Sequence, residues 1–217
     1  MSLAANLILS YLIGAFPTSV VLGHLFWKTD VRQHGSGNAG ATNAWRVLGW
    51  KAGVPVLLID FAKGAVSAGL ISRLRLFGGA PVDPSTLAVL CGLVAVLGHV
   101  FPVYTRFRGG KGVATAAGML VMVAPGPVGV AVGVFALLVV TSGCVSLGSI
   151  LAAWTVPFCV LFLSRPAGTS PSAALVALAF ALAVFITITH RTNIRCLLRG
   201  EEKTFPKLQL WRLFLRK

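Results

Sequence analysis

The feature that most limits how this chain can fold is a series of long stretches almost without charged residues. A helix needs about 20 apolar residues, within a range of about 17 to 25, to cross a bilayer. Five stretches reach that length, the last of them although it contains two charges: Leu3 to Phe26, Ser85 to Phe101, Val145 to Leu163, Ser172 to Thr189, and Val54 to Leu70. The first lacks the basic start and small-residue cleavage site of a signal peptide, so we expect it to be retained. These lengths predict an all-α integral membrane protein.

The composition excludes an ordinary soluble domain. Only 11% of the residues are charged and 56% are hydrophobic, whereas soluble domains carry about a quarter charged residues. The net charge of +14 suits nucleic acid, an anionic membrane surface or anionic substrates. Little soluble surface remains to present a basic face to nucleic acid, so we expect no nucleic-acid partner and predict contact with membrane lipid.

The number of spans depends on the stretch from Val113 to Thr141, which Pro125-Gly126-Pro127 interrupts. Proline breaks a helical hydrogen-bond ladder, so this stretch is one broken helix or two short ones. With two helices there are seven spans, and 15 of the 19 Lys and Arg residues fall on one side of the membrane against three on the other. Cytoplasmic loops carry the excess of Lys and Arg. We therefore predict seven transmembrane helices in one domain spanning residues 1–217, with the N-terminus outside and a basic cytoplasmic tail from about Arg191.

A glycine-rich segment, GSGNAGATNAWR, follows the first predicted span at residues 35–46. Closely spaced glycines take positive φ and let the backbone approach a ligand, and successive N–H groups then form a nest for anions. Neutral hydrogen-bonding groups and a fork-shaped cation suited to phosphate stand in the same segment: Ser36, Asn38, Thr42, Asn43 and Arg46. A flexible surface loop is the alternative, but Arg46 and two similar segments favour an anion site.

The second polar segment, GHVFPVYTRFRGGKGVAT at residues 98–115, ends in a glycine run that leads directly into a predicted helix. Free N–H groups and the helix dipole make such a start favourable for anions. The spacing of a Walker loop, GxxxxGK followed by Ser or Thr, is not present, so nucleotide binding is not predicted. Arg106 and Arg108 fit membrane-surface cations as well as a site role.

Ionisable and polar residues inside the predicted spans form a further group. Asp60 and Lys63 stand at i and i+3, where they can pair directly, and we favour a buried pair that organises the first loop over a catalytic role. His99 ends its span and is either a structural hydrogen-bonding residue or part of a site. Ser146 begins a span, where serine more often bonds its own backbone or a neighbouring helix.

The end of the last span and the cysteines complete the candidates. His190 and Asn193 are separated by three residues, so both can face one side of a helical turn; a boundary residue and a cap are the alternative. The four cysteines are scattered without metal-ligand spacing, and we predict neither a disulfide framework nor a metal site: Cys91, Cys144, Cys159 and Cys196.

Taken together, these motifs resemble the bacterial PlsY family, the acyl-phosphate:glycerol-3-phosphate acyltransferases. The segments GSGNAGATNAWR, GHVFPVYTRFRGGKGVAT, VSLGSI and HRTN…RGEE stand in the family's order from Gly35 to Glu202, and DFAKG in the second span is similar too. One departure precedes VSLGSI, where the family often has basic or aromatic residues and this chain has Thr141 to Cys144.

The resemblance implies a seven-helix enzyme of the bacterial inner membrane, with its active site at the cytoplasmic face and no cofactor. It implies transfer of an acyl group from acyl phosphate to glycerol 3-phosphate. Residues that match the family's acyl-phosphate loop are Ser36, Gly37, Asn38, Gly40, Thr42 and Asn43, and we add Gly110 and Gly112 from the second loop. Residues that match its glycerol 3-phosphate site are Arg46, Lys111, Ser146, His190 and Asn193, and we assign catalytic roles to Lys111, His190 and Asn193. We expect supporting roles for Asp60, Lys63, His99 and Thr115, and a monomer.

The chemistry of the substrates fits these residues. Acyl phosphate has a good leaving group, so an enzyme needs mainly positioning and stabilisation of developing charge. Neither a Ser-His-Asp order nor a Cys-His pair is evident, so a covalent acyl-enzyme is not predicted. A transporter of a phosphorylated metabolite is the rival class. The polar motifs at one face and the lack of an internal repeat argue against it, because carriers bind near the midplane. A lipid-binding protein without turnover is the third possibility.

Overall fold

The computed structural model describes residues 2–74, 82–163 and 172–209. Five of the basic residues used in the charge count lie outside these ranges. Arg75 and Arg165, on the predicted outer side, are among them, as are Arg212, Arg216 and Lys217 at the end of the predicted tail.

Within those ranges the chain is helical and contains no strand, as the hydrophobic pattern predicts. It divides into two compact units, Met1–Val123 and Ala124–Lys217. The described residues of the first unit form six α-helices: α1 Ser2–Ala15, α2 Thr18–Trp27, α3 Ala41–Leu48, α4 Trp50–Gly69, α5 Pro84–Val100 and α6 Val113–Val123. The second contains four among its described residues: α7 Pro125–Ser142, α8 Val145–Phe162, α9 Ala173–Thr189 and α10 Arg191–Leu198.

Prolines break the helix in two of the apolar stretches, of which one break was predicted and the other was not. The stretch from Val113 to Thr141 forms two helices that meet at Ala124, directly before Pro125. The first stretch, expected as one span from Leu3 to Phe26, is also divided: α1 and α2 meet at Phe16 and Pro17 with a bend of 42°. Proline cannot donate a backbone hydrogen bond, so each ladder stops where a proline enters.

Four described helical segments are long and apolar enough to cross a bilayer: Trp50–Arg73, Pro84–Thr105, Pro125–Ser142 and Val145–Phe162. The bent pairs α1 with α2 and α9 with α10 raise the number to six if each is one span, and α6 is a shorter apolar helix. The protein is therefore a multi-pass membrane protein. The seven-span count and the orientation of the termini stay predictions.

Close packing in the first unit depends on small residues where helices cross. A Cβ on Gly64 of α4 would overlap the carbonyl oxygen of Thr115 in α6, and a Cβ on Gly118 of α6 would overlap that of Phe61 in α4. Helices in membranes approach closely through such residues, because lipid supplies no hydrophobic drive between them. This contact fixes the start of α6, which directly follows the glycine run at residues 109–112. We call that run the second glycine segment.

In the second unit, α8 and α9 are joined by aromatic and polar contacts. Trp154 Nε1 donates to Thr187 Oγ1 at 3.0 Å. Phe180 of α9 packs edge-on against Phe158, with ring centroids 6.0 Å apart. The chain then bends by 63° between α9 and α10, and this bend places His190 at the junction.

Candidate active site

The first glycine segment has a fixed shape because it folds around the side chain of Asn43. The Asn43 carbonyl oxygen accepts from the Ser36 N–H at 2.8 Å, and its amide nitrogen donates to the carbonyls of Val31 at 2.7 Å and His34 at 3.1 Å. Asn43 is only 1% exposed. The Asn43 side chain therefore holds the loop in this shape through hydrogen bonds to its backbone. A contact between Asn43 and acyl phosphate stays a prediction.

The segment contains positive φ of the kind found in anion nests, although the Gly37 N–H itself donates to the His34 carbonyl at 3.0 Å. Gly37 has φ of +71°, and α3 begins after Gly40 without a side-chain cap among the described residues. Uncapped N–H groups at a helix start favour a bound anion. Thr42 and Arg46 follow at i and i+4 on α3, where both can face one side of the helix.

An ion pair holds the entrance to this segment. Asp30 accepts three hydrogen bonds from the Arg32 guanidinium: Nε donates to Oδ1 at 3.0 Å and to Oδ2 at 3.2 Å, and Nη2 donates to Oδ2 at 2.7 Å. Hydrogen bonding from Arg32 lowers the pKa of Asp30 below its ordinary value, and the same bond raises the pKa of Arg32. Arg32 is therefore engaged within the protein.

The second glycine segment lies against the first. The Asn38 amide nitrogen approaches the Gly109 carbonyl oxygen to 3.5 Å, and Gly112 has φ of +85° immediately before α6. The Gly110 N–H donates to the His99 carbonyl at 3.1 Å. Two backbone segments that sequence alone predicts as anion sites are thus neighbours, with Lys111 in the second of them.

A buried polar cluster touches both segments. Thr18 Oγ1 and Lys63 Nζ donate to the same Asp60 oxygen, Oδ1, at 2.8 and 2.7 Å, and His99 Nδ1 lies 3.7 Å from it. The ion pair predicted from the i, i+3 spacing is therefore present. Lys63 also donates to the Phe16 carbonyl at 2.5 Å. This carbonyl lies at the break between α1 and α2 and also accepts from the Thr18 N–H at 2.9 Å.

The cluster lies against the glycine segments, and its supporting role stays a prediction. It lines a cavity of about 10 Å³ together with Ala39, Gly109 and Gly110, which is room for about one water molecule. A Cβ on Gly110 would overlap His99 Nε2, so the imidazole lies directly against the second segment. Thr115 is fully buried, and its hydroxyl has no hydrogen-bond partner among the described residues. Thr115 lies at the crossing of α4 and α6, where its carbonyl faces Gly64.

In the second unit, Ser146 and Asn193 are joined by a carboxylate. Ser146 Oγ donates to Glu202 Oε1 at 2.7 Å, and Asn193 Nδ2 donates to the same oxygen at 2.6 Å. His190 is 3% exposed, and its Nδ1 lies 2.8 Å from the Ile186 carbonyl. Since a carbonyl only accepts, Nδ1 carries the proton, and in the neutral ring Nε2 is the acceptor.

Two residues of these clusters were not predicted from the sequence. Glu202 stood in a recognised motif without a role, although it is one of only five acidic residues in the chain. Thr18 was one more polar residue in a predicted span. The scarcity of carboxylates was a usable signal for Glu202, because each carboxylate at a membrane protein's polar sites needs a partner. The predicted glycerol 3-phosphate residues divide between the units, with Arg46 and Lys111 in the first and the other three in the second.

Comparison with known proteins gives a consistent result over nearly the whole chain. The family model "Glycerol-3-phosphate acyltransferase" matches residues 4–200. The glycerol-3-phosphate acyltransferase of Chlorobium luteolum is 43% identical, over 95% of this chain and 99% of the relative. That of Salinibacter ruber is 40% identical, over 96% of this chain and 94% of the relative.

Among solved structures, the chain is similar to PlsY (YgiH), an integral membrane glycerol 3-phosphate acyltransferase. Its glycerol 3-phosphate form matches with a TM-score of 0.81 and 32% identity, over 96% of this chain and 98% of that one. Its lysophosphatidic acid form matches with a TM-score of 0.78 and 31% identity, over 97% and 99% of the two chains. The chain therefore belongs to the glycerol-3-phosphate acyltransferase family and is a multi-pass membrane acyltransferase.

Proposed function

We propose that the protein transfers a fatty acyl group from acyl phosphate to the C1 hydroxyl of sn-glycerol 3-phosphate. The products are lysophosphatidic acid and inorganic phosphate, in the first step of bacterial phospholipid synthesis. The observation that carries the choice of donor is the pair of neighbouring glycine segments, in which Gly37 and Gly112 have positive φ and Asn38 approaches Gly109. Such backbone suits the phosphate of an acyl phosphate.

The proposed reaction is a direct displacement. The C1 hydroxyl oxygen forms a bond to the acyl carbon, and the bond from that carbon to the phosphate oxygen breaks. Lys111 and the N–H groups of both glycine segments stabilise the charge that develops on the departing phosphate. The hydroxyl proton goes to His190 or to a substrate phosphate oxygen.

The acceptor is assigned to Arg46, Lys111, Ser146, His190 and Asn193. A guanidinium grips a phosphate through two parallel bonds, which suits Arg46. Ser146 and Asn193 are already aligned on one carboxylate oxygen, so both side chains point toward an anionic group. The names of the relatives, which contain glycerol 3-phosphate, support this acceptor.

The donor is tested with purified protein, glycerol 3-phosphate and either acyl phosphate or acyl-CoA. We expect lysophosphatidic acid and phosphate to form in equal amounts from acyl phosphate, with little turnover of acyl-CoA. Comparable turnover of acyl-CoA alone would overturn the donor assignment. If neither donor gives phosphate or lysophosphatidic acid, the result would favour a lipid-binding protein without turnover.

We further propose seven spans, with both glycine segments at the cytoplasmic face of the inner membrane. The charge asymmetry of the sequence supports this orientation. Cysteine introduced at exposed Ser36, in a Cys196→Ser background, should be labelled only from the inside. Cysteine at Ser85 should be labelled only from the outside. Labelling of position 36 from the outside would contradict the proposed topology.

A further inference from the structure

The segment after α10 folds back onto the turn between α7 and α8. We call residues 201–209 the tail strap. The Phe205 N–H donates to the Gly143 carbonyl at 2.8 Å, and Gln209 Nε2 donates to the Ser142 carbonyl at 2.6 Å. The family model ends at residue 200, so the strap lies beyond the part of the chain that the model matches.

The strap supplies hydrogen-bond donors to carbonyl groups at the end of α7 that have no donor within the helix. Ser142 is the last residue of α7 and Gly143 is its left-handed C-cap, with φ of +70°. Carbonyls in the last turn of a helix lack intrahelical donors and need others. A Cβ on Gly143 would lie 3.0 Å from Gln209 Nε2 and 3.1 Å from the Phe205 carbonyl oxygen, so the strap fits this turn closely. Gln209 is 7% exposed, which excludes solvent from its bond.

The same segment carries the carboxylate that joins Ser146 and Asn193. Glu202 lies three residues before Phe205, and Ser146 lies three residues after Gly143. Two short pieces of chain are thus tied at both ends, by Glu202 to Ser146 at 2.7 Å and by Phe205 to Gly143 at 2.8 Å. If one of these two hydrogen bonds is lost, the segment that carries the other hydrogen bond is free to move.

We propose that the tail strap positions the acceptor side chains, with Gln209 and Phe205 as positioning residues for glycerol 3-phosphate. The strap fixes Glu202, and Glu202 in turn fixes the rotamers of Ser146 and Asn193. This inference rests on the proposed function for the identity of the acceptor. It gives the tail a role in substrate recognition besides its basic charge.

The test compares Gln209→Ala and Gln209→Glu with Thr204→Ala. Alanine removes the donor to the Ser142 carbonyl, and glutamate keeps the size but places an acceptor against that carbonyl. Thr204 is an exposed residue of the same strap and serves as the matched control. Full-length variants are assayed for kcat and for KM of both substrates, and backbone hydrogen exchange is followed over residues 138–149 and 201–209.

We expect both Gln209 variants to raise KM for glycerol 3-phosphate by about 2- to 10-fold, the range for loss of one hydrogen bond. The donor KM and kcat should stay within about twofold of wild type, because the side chains that the strap holds through Glu202 orient the acceptor in the proposed reaction and do not bind the acyl phosphate. Exchange should rise at the turn and at Phe205. Thr204→Ala should match wild type in every measurement.

Each alternative result has its own meaning. Faster exchange with an unchanged KM for glycerol 3-phosphate would show a strap without a positioning role and overturn the proposal. Unchanged exchange and kinetics would show that the strap does not form. A general loss of folded protein in Gln209→Ala but not in Gln209→Glu would indicate packing alone and also overturn it. Failure of the proposed function appears separately, as wild-type protein that does not use acyl phosphate, while exchange still reports on the strap.

Discussion

Asp60 in the first unit and Glu202 in the second each have a carboxylate oxygen that accepts from two side chains, but the two arrangements differ in charge and burial. In the first unit Asp60 Oδ1 accepts from Thr18 and from the cation Lys63, and Asp60 is 2% exposed. In the second, Glu202 Oε1 accepts from the neutral groups of Ser146 and Asn193, and Glu202 is partly exposed.

From this difference in charge and burial we assign different roles to the two carboxylates. Removing one partner of a buried ion pair leaves an uncompensated buried charge, which strongly destabilises the fold. The Asp60 cluster therefore connects α4 to its neighbours irrespective of substrate. A partly exposed carboxylate with two neutral donors leaves no buried cation uncompensated when it is replaced. Its donors are residues that we assign to the acceptor. We infer that Asp60 serves folding beneath the glycine segments and that Glu202 serves substrate alignment.

The largest effect is expected from Lys63→Met. Removing the cation leaves the Asp60 carboxylate buried without its charged partner, which costs about 3 to 5 kcal/mol in the free energy of unfolding. Asp60→Asn combined with Lys63→Met should recover most of that loss, because a neutral pair needs no compensation. Denaturation in detergent micelles measures both. Arg32→Met, which breaks a more exposed ion pair, is the control and should cost about 1 kcal/mol or less.

Gly37→Val tests the claim that the first segment binds through its backbone. Valine is a genuine outlier at positive φ, and Gly37 has φ of +71°, so the segment must change shape. A displacement of about 1 Å in a reacting group costs about 100-fold in rate, and we expect at least that loss in kcat/KM. The protein should still fold and insert. Gly129→Val in α7, where an added Cβ meets no atom within 4 Å, should keep normal activity; equal losses in the two variants would point to a general packing defect.

Arg46→Lys examines the acceptor in the first unit. Lysine keeps the charge but loses one of two parallel bonds to phosphate, each worth about 1.5 to 3 kcal/mol. KM for glycerol 3-phosphate should rise about 10- to 150-fold. kcat should change little, because that phosphate is the same before and after reaction. A selective rise in the donor KM would instead place Arg46 with the acyl phosphate.

The smallest effect is a pH dependence at the entrance to the glycine segment. Hydrogen bonding to Arg32 lowers the pKa of Asp30 in the folded protein. The pair therefore contributes stability above the ordinary carboxyl pKa, and the contribution is lost as the pH falls through the folded value. The stability difference between wild type and Arg32→Met should be constant near pH 7 and should disappear as the pH drops below about 4. A difference that grows on acidification would contradict this origin.

Much of the fold follows from local pattern. The ends of α5, α8 and α9 lie within one residue of the predicted stretches, because hydrophobic length decides where a membrane helix begins and ends. The Asp60–Lys63 pair follows from its i, i+3 spacing on one helix. Pro17 is a signal for a break in the sequence too. The apolar run continues on both sides of it, so one unbroken span was predicted.

The contacts that complete the two clusters could not be predicted in this way. Thr18 is 42 residues from Asp60, and Glu202 is 56 residues from Ser146. Periodicity reports which face of a helix is apolar but not which distant residue meets a given oxygen. Gly143 and Gln209 are likewise 66 residues apart in the chain, and only the fold brings the tail to that turn.

The most direct test of the contrast between the two carboxylates is the matched pair Asp60→Asn and Glu202→Gln, each assayed for stability and for KM of glycerol 3-phosphate. Both changes remove a negative charge and keep the shape of the side chain. We predict that Asp60→Asn lowers the free energy of unfolding by about 3 to 5 kcal/mol while the folded fraction keeps a KM within about twofold of wild type. Glu202→Gln should leave stability within about 1 kcal/mol and raise that KM about 2- to 10-fold. The reverse pattern, with KM altered by Asp60→Asn and stability by Glu202→Gln, would contradict the account.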